Sequence, residues 1–184
     1  TGKALDNINE AARASAIAFG TEAPQNVESY KLLVSQLSPE IAKNAIALKE
    51  MGNHVNILSK TMGGDTVAAT EVLTTAMNQY GVSLDNPMQA SKTMADMMNV
   101  MAAAAKEGSA ELPQIKSALE QTGMVAKACG VTFSETNAAI QVLDKAGKKG
   151  AEGGVAIRNA LSTLSEGRFL PKQTKAELEA AGVS

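Results

Sequence analysis

Apolar residues recur every three or four positions along most of the chain, and the recurrence is interrupted by glycine. Leu5, Ile8, Ala12, Ala16 and Phe19 form one such face, stopped at Gly20. After Pro24, Val27, Tyr30, Val34 and Leu37 form a second, shorter face. Ser38, Pro39 and Glu40 read as the start of a long helix, with proline at the first position and a carboxylate near the positive end of the helix dipole. Its stripe is Ile41, Ala45, Leu48, Val55, Leu58 and Met62, and Gly63 and Gly64 end it. Asp65 caps the next helix, whose inner face is Ala69, Val72, Leu73, Ala76 and Tyr80.

The longest uninterrupted signal runs from Pro87 to Lys106, with Asn86 as cap and Gly108 as a left-handed stop. Met94, Met97, Met98 and Met101 fall at i, i+3, i+4 and i+7, so all four thioethers share one side. Packing is the ordinary meaning of such a stripe and makes this the central helix of a bundle. The functional alternative is an interaction face, because flexible thioethers remould to different partners.

The segment from Ser109 to Pro113 starts a further helix bearing Ile115, Leu119, Val125 and Cys129, with a bend or break expected at Gly123 and a stop at Gly130. Thr132 and Glu135 form a capping box for a helix bearing Ala139, Ile140, Leu143 and Ala146. A glycine-rich turn leads to Ile157, Ala160, Leu161 and Leu164, and a last short helix is expected over 172–181. No stretch sustains the period of two that a strand requires. The expectation is an all-α bundle of about seven to nine helices with glycine-punctuated turns, divided into an N-terminal helical unit at 1–64 and a second region at 65–184.

Gly-Val followed by a hydroxyl residue recurs at Gly81, Gly130 and Gly182, each combining a helix stop with a possible cap for the next helix. The third copy has no helix after it, from which the 184 residues are expected to be a piece of a longer protein.

Composition narrows the chemistry. Aromatic residues make up 3% of the chain and tryptophan is absent, so Ala, Leu, Val, Ile and Met must fill the interior with helices close together. The net charge of −2 is spread among interspersed acids and bases and offers no footprint for a phosphate backbone. The single Cys129 excludes an intrachain disulfide, and no segment approaches the roughly 20 apolar residues that span a bilayer. A soluble protein is expected, without cofactor or metal. His54 is the only histidine and reads as a flank residue rather than a general base, and Cys129 as a buried structural thiol. The segment Gly147 to Gly154 lacks the spacing of a P-loop and the preceding strand of a dinucleotide fold, and reads as an interhelical turn.

From about Asp65 to Leu164 the chain resembles the core region of phage tail tape measure proteins. The matching segments are Asn78-Gln79-Tyr80-Gly81, Ala103 to Glu111, Val125 to Thr132, Leu143 to Gly147 and, most specifically, Gly150-Ala151-Glu152-Gly153-Gly154-Val155-Ala156-Ile157-Arg158-Asn159-Ala160-Leu161. Members commonly carry Ala-Gly-Thr where this chain has Gly153, Gly154 and Val155, a departure expected to remove a hydroxyl cap and loosen the loop.

The resemblance implies a structural protein, not an enzyme. It would set tail length while tube subunits polymerise around it, and leave the tail ahead of DNA. It also implies the tail tube protein, tail assembly chaperone and tail tip proteins as partners, with self-association possible and no direct contact with nucleic acid. The implied location is the host cytoplasm during assembly and the tail lumen afterwards. The competing class is a soluble helical adaptor that docks a partner through Met94, Met97, Met98 and Met101.

Overall fold

Local chemistry sets most helix ends. In the computed structural model, which describes residues 2–165 and the single positions 176, 180 and 182, eight α-helices occur and no strand is found among the described residues. They are α1 (Gly2–Phe19), α2 (Ala23–Gln36), α3 (Ala45–Thr61), α4 (Thr66–Gln79), α5 (Pro87–Glu107), α6 (Leu112–Ala128), α7 (Phe133–Lys145) and α8 (Gly150–Ser165). The short helix expected over 172–181 lies outside the described residues apart from isolated positions.

The Gly-Val ends take the expected form. Gly81 and Gly130 have φ of 58° and 76°, a region that Cβ-bearing residues avoid. The amides of Val82 and Val131 then turn back to the carbonyls of Met77 and Ala126, at 2.9 Å each. The hydroxyl caps only at the second of these: Thr132 Oγ1 accepts from the Glu135 amide, while the Thr132 amide donates to Glu135 Oε2 at 2.8 Å. After Gly81 the capping oxygen belongs to Asn86, which accepts from the amides of Met88 and Gln89. Gly108 is not left-handed. Its φ of −105° and ψ of −175° are extended, and a Cβ there would stand 2.9 Å from Gln141 Cγ.

Two expected elements differ. The helix beginning at Ser38 is in fact a 3₁₀ turn, Pro39–Lys43, followed by a separate α3, because Asn44 leaves helical geometry and caps the new helix by accepting from the Ala47 amide at 3.0 Å. Conversely, α6 runs unbroken through Gly123. That glycine lies against α4, where an added Cβ would come 2.6 Å from Gln79 Cβ, so its role is close approach rather than a bend.

The interior positions belong to α3 and α4 rather than to α5, and α3 packs on α1, α2, α4 and α5. Helix α4 packs on α2, α3, α5 and α6. Besides Ala69, Val72, Leu73, Ala76 and Met77, it buries Thr66, Thr70 and Thr74 completely. Threonine enters the interior here by donating back along its own helix: Thr70 Oγ1 reaches the Thr66 carbonyl at 2.8 Å and Thr74 Oγ1 the Thr70 carbonyl at 2.9 Å. Thr74 Oγ1 also donates to Gln36 of α2.

The first three helices meet around polar groups. On α1 the buried face is Ile8, Ala11, Ala12 and Ser15, and Leu5 is left more than half exposed. Ser15 Oγ lies 2.7 Å from the hydroxyl of Tyr30, whose ring crosses over Gly52 of α3. Thr21, Asn26 and Asn56 close a ring of hydrogen bonds: Thr21 Oγ1 donates to Asn56 Oδ1, Asn56 Nδ2 to Asn26 Oδ1, and Asn26 Nδ2 to Thr21 Oγ1. Each member both gives and receives, so the buried Asn26 and Asn56 and the half-buried Thr21 are matched without water. The buried apolar residues form one cluster from Ile8 to Ile157, continuous across residues 64 and 65, and both α2 and α3 pack on α4.

Candidate functional site

The α5 stripe was the leading candidate for an interaction face. The structure buries it: Met94 and Met101 are fully enclosed, and Met97 and Met98 are 6% and 5% exposed. All four belong to the common core, and α5 packs on α3, α4 and α7. In this fold the thioethers fill space between helices and present no surface to a partner.

His54 sits where α3 meets α5. Its Nε2 is 3.4 Å from Ser91 Oγ, and Ser91 Oγ is also 3.4 Å from Glu50 Oε2. Serine, histidine and a carboxylate are the residue types of a nucleophilic triad, but the geometry is different. Ser91 is fully buried, the carboxylate approaches the serine, and Nδ1 of His54 has no partner that would orient the ring as a base. The cluster is a polar contact between helices. Glu50 and His54 are one turn apart on α3, but Ser91 lies 41 and 37 residues from them, and nothing local in the sequence joins it to the pair.

Burial holds the His54 pKa below its ordinary value of 6.5, against an opposing upward pull from the Glu50 charge. The folded state therefore binds fewer protons at this position than the unfolded chain. The associated stability is complete above pH 6.5 and is lost as the pH falls below it. The melting temperature is expected to drop between pH 7.5 and pH 5.5, and His54→Gln to flatten that interval. Equal slopes for both proteins would remove His54 as the cause.

Cys129 is exposed, not buried as expected, because it stands at the C-terminal cap of α6 beyond the last packed turn. Among the described residues no group of three or more His, Cys, Asp or Glu side chains is placed to hold a metal ion, and no helix is long and apolar enough to cross a membrane.

The segment Gly147 to Gly154, expected to be a turn, is helical from Gly150 onward. Gly153 and Gly154 are buried inside α8. At Gly153 a Cβ would lie 2.6 Å from the Lys148 carbonyl oxygen. At Gly154 it would lie 2.8 Å from Ala118 Cα and closer still to the Ala118 carbonyl oxygen. Gly154 thus lets α8 press directly on the backbone of α6, Gly153 lets the start of α8 close on the Lys148 carbonyl, and both tighten the structure where a looser loop was expected. Nearby, Tyr80 packs edge-on against Phe133 with ring centroids 5.4 Å apart, and its hydroxyl donates to Thr136 Oγ1 at 2.6 Å. Two of the segments that carry the family resemblance thereby meet in space, the end of α4 and the cap of α7, where the Tyr80 hydroxyl also lies 3.3 Å from the Thr132 carbonyl oxygen.

The chain is 28% identical over 109 residues to the tape measure protein of Pneumococcus phage Dp-1, an overlap covering 59% of this chain and 9% of that protein. The chain thus spans less than a tenth of the relative's length. No solved structure matches. The family described as phage-related minor tail protein matches residues 9–184, nearly the whole chain. The chain belongs to the phage-related minor tail protein family.

Proposed function

We propose that this segment is a helical module of a tape measure protein, one that contributes to tail length during assembly and leaves the tail ahead of DNA during ejection. Family membership gives the protein a structural role in the phage tail. The observation that carries the finer reading is the similarity to the Dp-1 tape measure protein over 109 residues. In this reading the tail tube, tail tip and assembly chaperone proteins are its partners, and it passes from the host cytoplasm into the tail lumen.

Length setting requires a shape change. Packed as one bundle, 184 residues have a radius of gyration of about 16 Å, whereas the same residues as continuous helix reach about 280 Å at 1.5 Å per residue. Features that favour opening are the scarcity of large aromatic anchors and the left-handed glycines between helices, at which the chain can redirect without a side-chain penalty.

The test is an in-frame deletion of residues 2–165 from the full-length protein in its phage, with tail length measured by electron microscopy. Tails shorter by about 250 Å are expected if the segment lies extended along the tube. Tails of normal length would exclude it as part of the ruler.

A further inference from the structure

Helix α7 carries the least well matched buried face among the described residues. Thr136, Asn137, Gln141 and Asp144 share one side of it, and none is more than 6% exposed. Some of their atoms are paired: Thr136 Oγ1 accepts from Tyr80, Gln141 Oε1 from the Ala110 amide at 3.1 Å, and Asp144 Oδ2 from Ser109 Oγ. Four buried atoms have no hydrogen-bonding partner in the protein, namely Asn137 Nδ2, Asn137 Oδ1, Gln141 Nε2 and Asp144 Oδ1. The contrast with the closed ring of Thr21, Asn26 and Asn56 is sharp.

An unpartnered buried amide or carboxylate oxygen favours any state in which it meets water. Asn137 faces such a state at short range. It lines a groove of about 490 Å³ between α5 and α7, together with Val100, Ala103, Ala104 and Ala138. A small separation of the two helices admits water to both amide atoms. The means of separation stand at either end of α7. Gly130 and Gly147 have φ of 76° and 91°, both are exposed, and nothing lies within 4 Å of where their Cβ atoms would be. Both can rotate without a steric penalty.

We infer that α7 is a releasable helix, undocking from α5 about Gly130 and Gly147 while α1 to α6 stay folded. The inference rests on the packing of α7 and holds whether or not the segment measures tail length.

Native-state hydrogen exchange on the 184-residue chain tests it, with α4 as the internal reference because that helix packs on α2, α3, α5 and α6. Amides of α7 are expected to exchange at least tenfold faster than those of α4, with a weaker dependence on added urea, the signature of opening that exposes little surface. Asn137→Leu, which replaces two unpartnered atoms by methyl groups at the same heavy-atom count, is expected to slow exchange in α7 about tenfold. Equal rates and equal urea dependence in the two helices would overturn the inference, as would undiminished fast exchange of α7 in the folded variant. Should the variant not fold, the comparison within the unaltered chain decides the matter.

Discussion

Gly154→Val is expected to cost roughly 3 kcal/mol or more, a large part of the 5–15 kcal/mol that stabilises a domain of this size. The reason is what the new side chain would strike. A Cβ at this position stands 2.8 Å from Ala118 Cα and closer to the Ala118 carbonyl oxygen. Backbone atoms inside α6 cannot swing aside as a flexible side chain can, so α8 must lift away and take Ile157 and Leu161 out of their packing. Urea unfolding reads the effect as a lower midpoint. A control on the same helix is Ala151→Val, an exposed position, where the change reflects helix propensity alone at about 0.5 kcal/mol. If Gly154→Val unfolds at the same midpoint as the parent, the close crossing of α6 and α8 is not a determinant of the fold.

The double variant Met97→Gln, Met101→Gln is expected to lose about 4 kcal/mol, at roughly 2 kcal/mol for each buried amide left without a partner. Glutamine nearly matches methionine in length, so the change isolates polarity from volume. Both positions are in the core, at 6% and 0% exposure, among apolar neighbours. Circular dichroism and urea unfolding would show a destabilised or unfolded chain. Met124→Gln, at a position 68% exposed, serves as the matched control and is expected to be neutral within about 0.5 kcal/mol. A folded double variant with unchanged stability would reopen the reading of this stripe as a docking face.

These outcomes depend on features that differ in how openly the sequence displays them. Helix identity and most helix ends are local properties: glycine after a helix, a hydroxyl or amide before one, apolar residues at a period of 3.6. They were legible at Gly81, Gly130, Asp65, Asn86 and the Thr132–Glu135 pair. The enclosure of α4 was not legible, because three of its eight buried residues are threonine, and threonine reads as surface until the hydroxyls of Thr70 and Thr74 are seen to donate to their own helix.

The face of α1 is hidden in the sequence for a related reason. Ser15 is buried through its bond to Tyr30, while the apolar Leu5 lies outside the packed stripe. Gly123 and Gly154 read as interruptions because their purpose lies in a neighbouring helix far along the chain. The spacing Thr66, Thr70, Thr74 was the one signal that could have revealed α4, since three threonines four residues apart line a single edge of a helix.

The scarcity of aromatic residues has a practical consequence in spectroscopy. With no tryptophan and two tyrosines, ultraviolet fluorescence of this chain is almost wholly phenolic, and the two phenols report from separate places. Tyr30 is enclosed where α2 lies over α3, with its hydroxyl on Ser15, so its emission follows the assembly of the first three helices. Tyr80 touches Phe133 and Thr136, both at the start of α7, so its emission follows the docking of that helix. Replacing either tyrosine by phenylalanine yields a protein with a single optical reporter. The order in which the two ends of the bundle come apart can then be timed in one stopped-flow trace each, without attaching any dye.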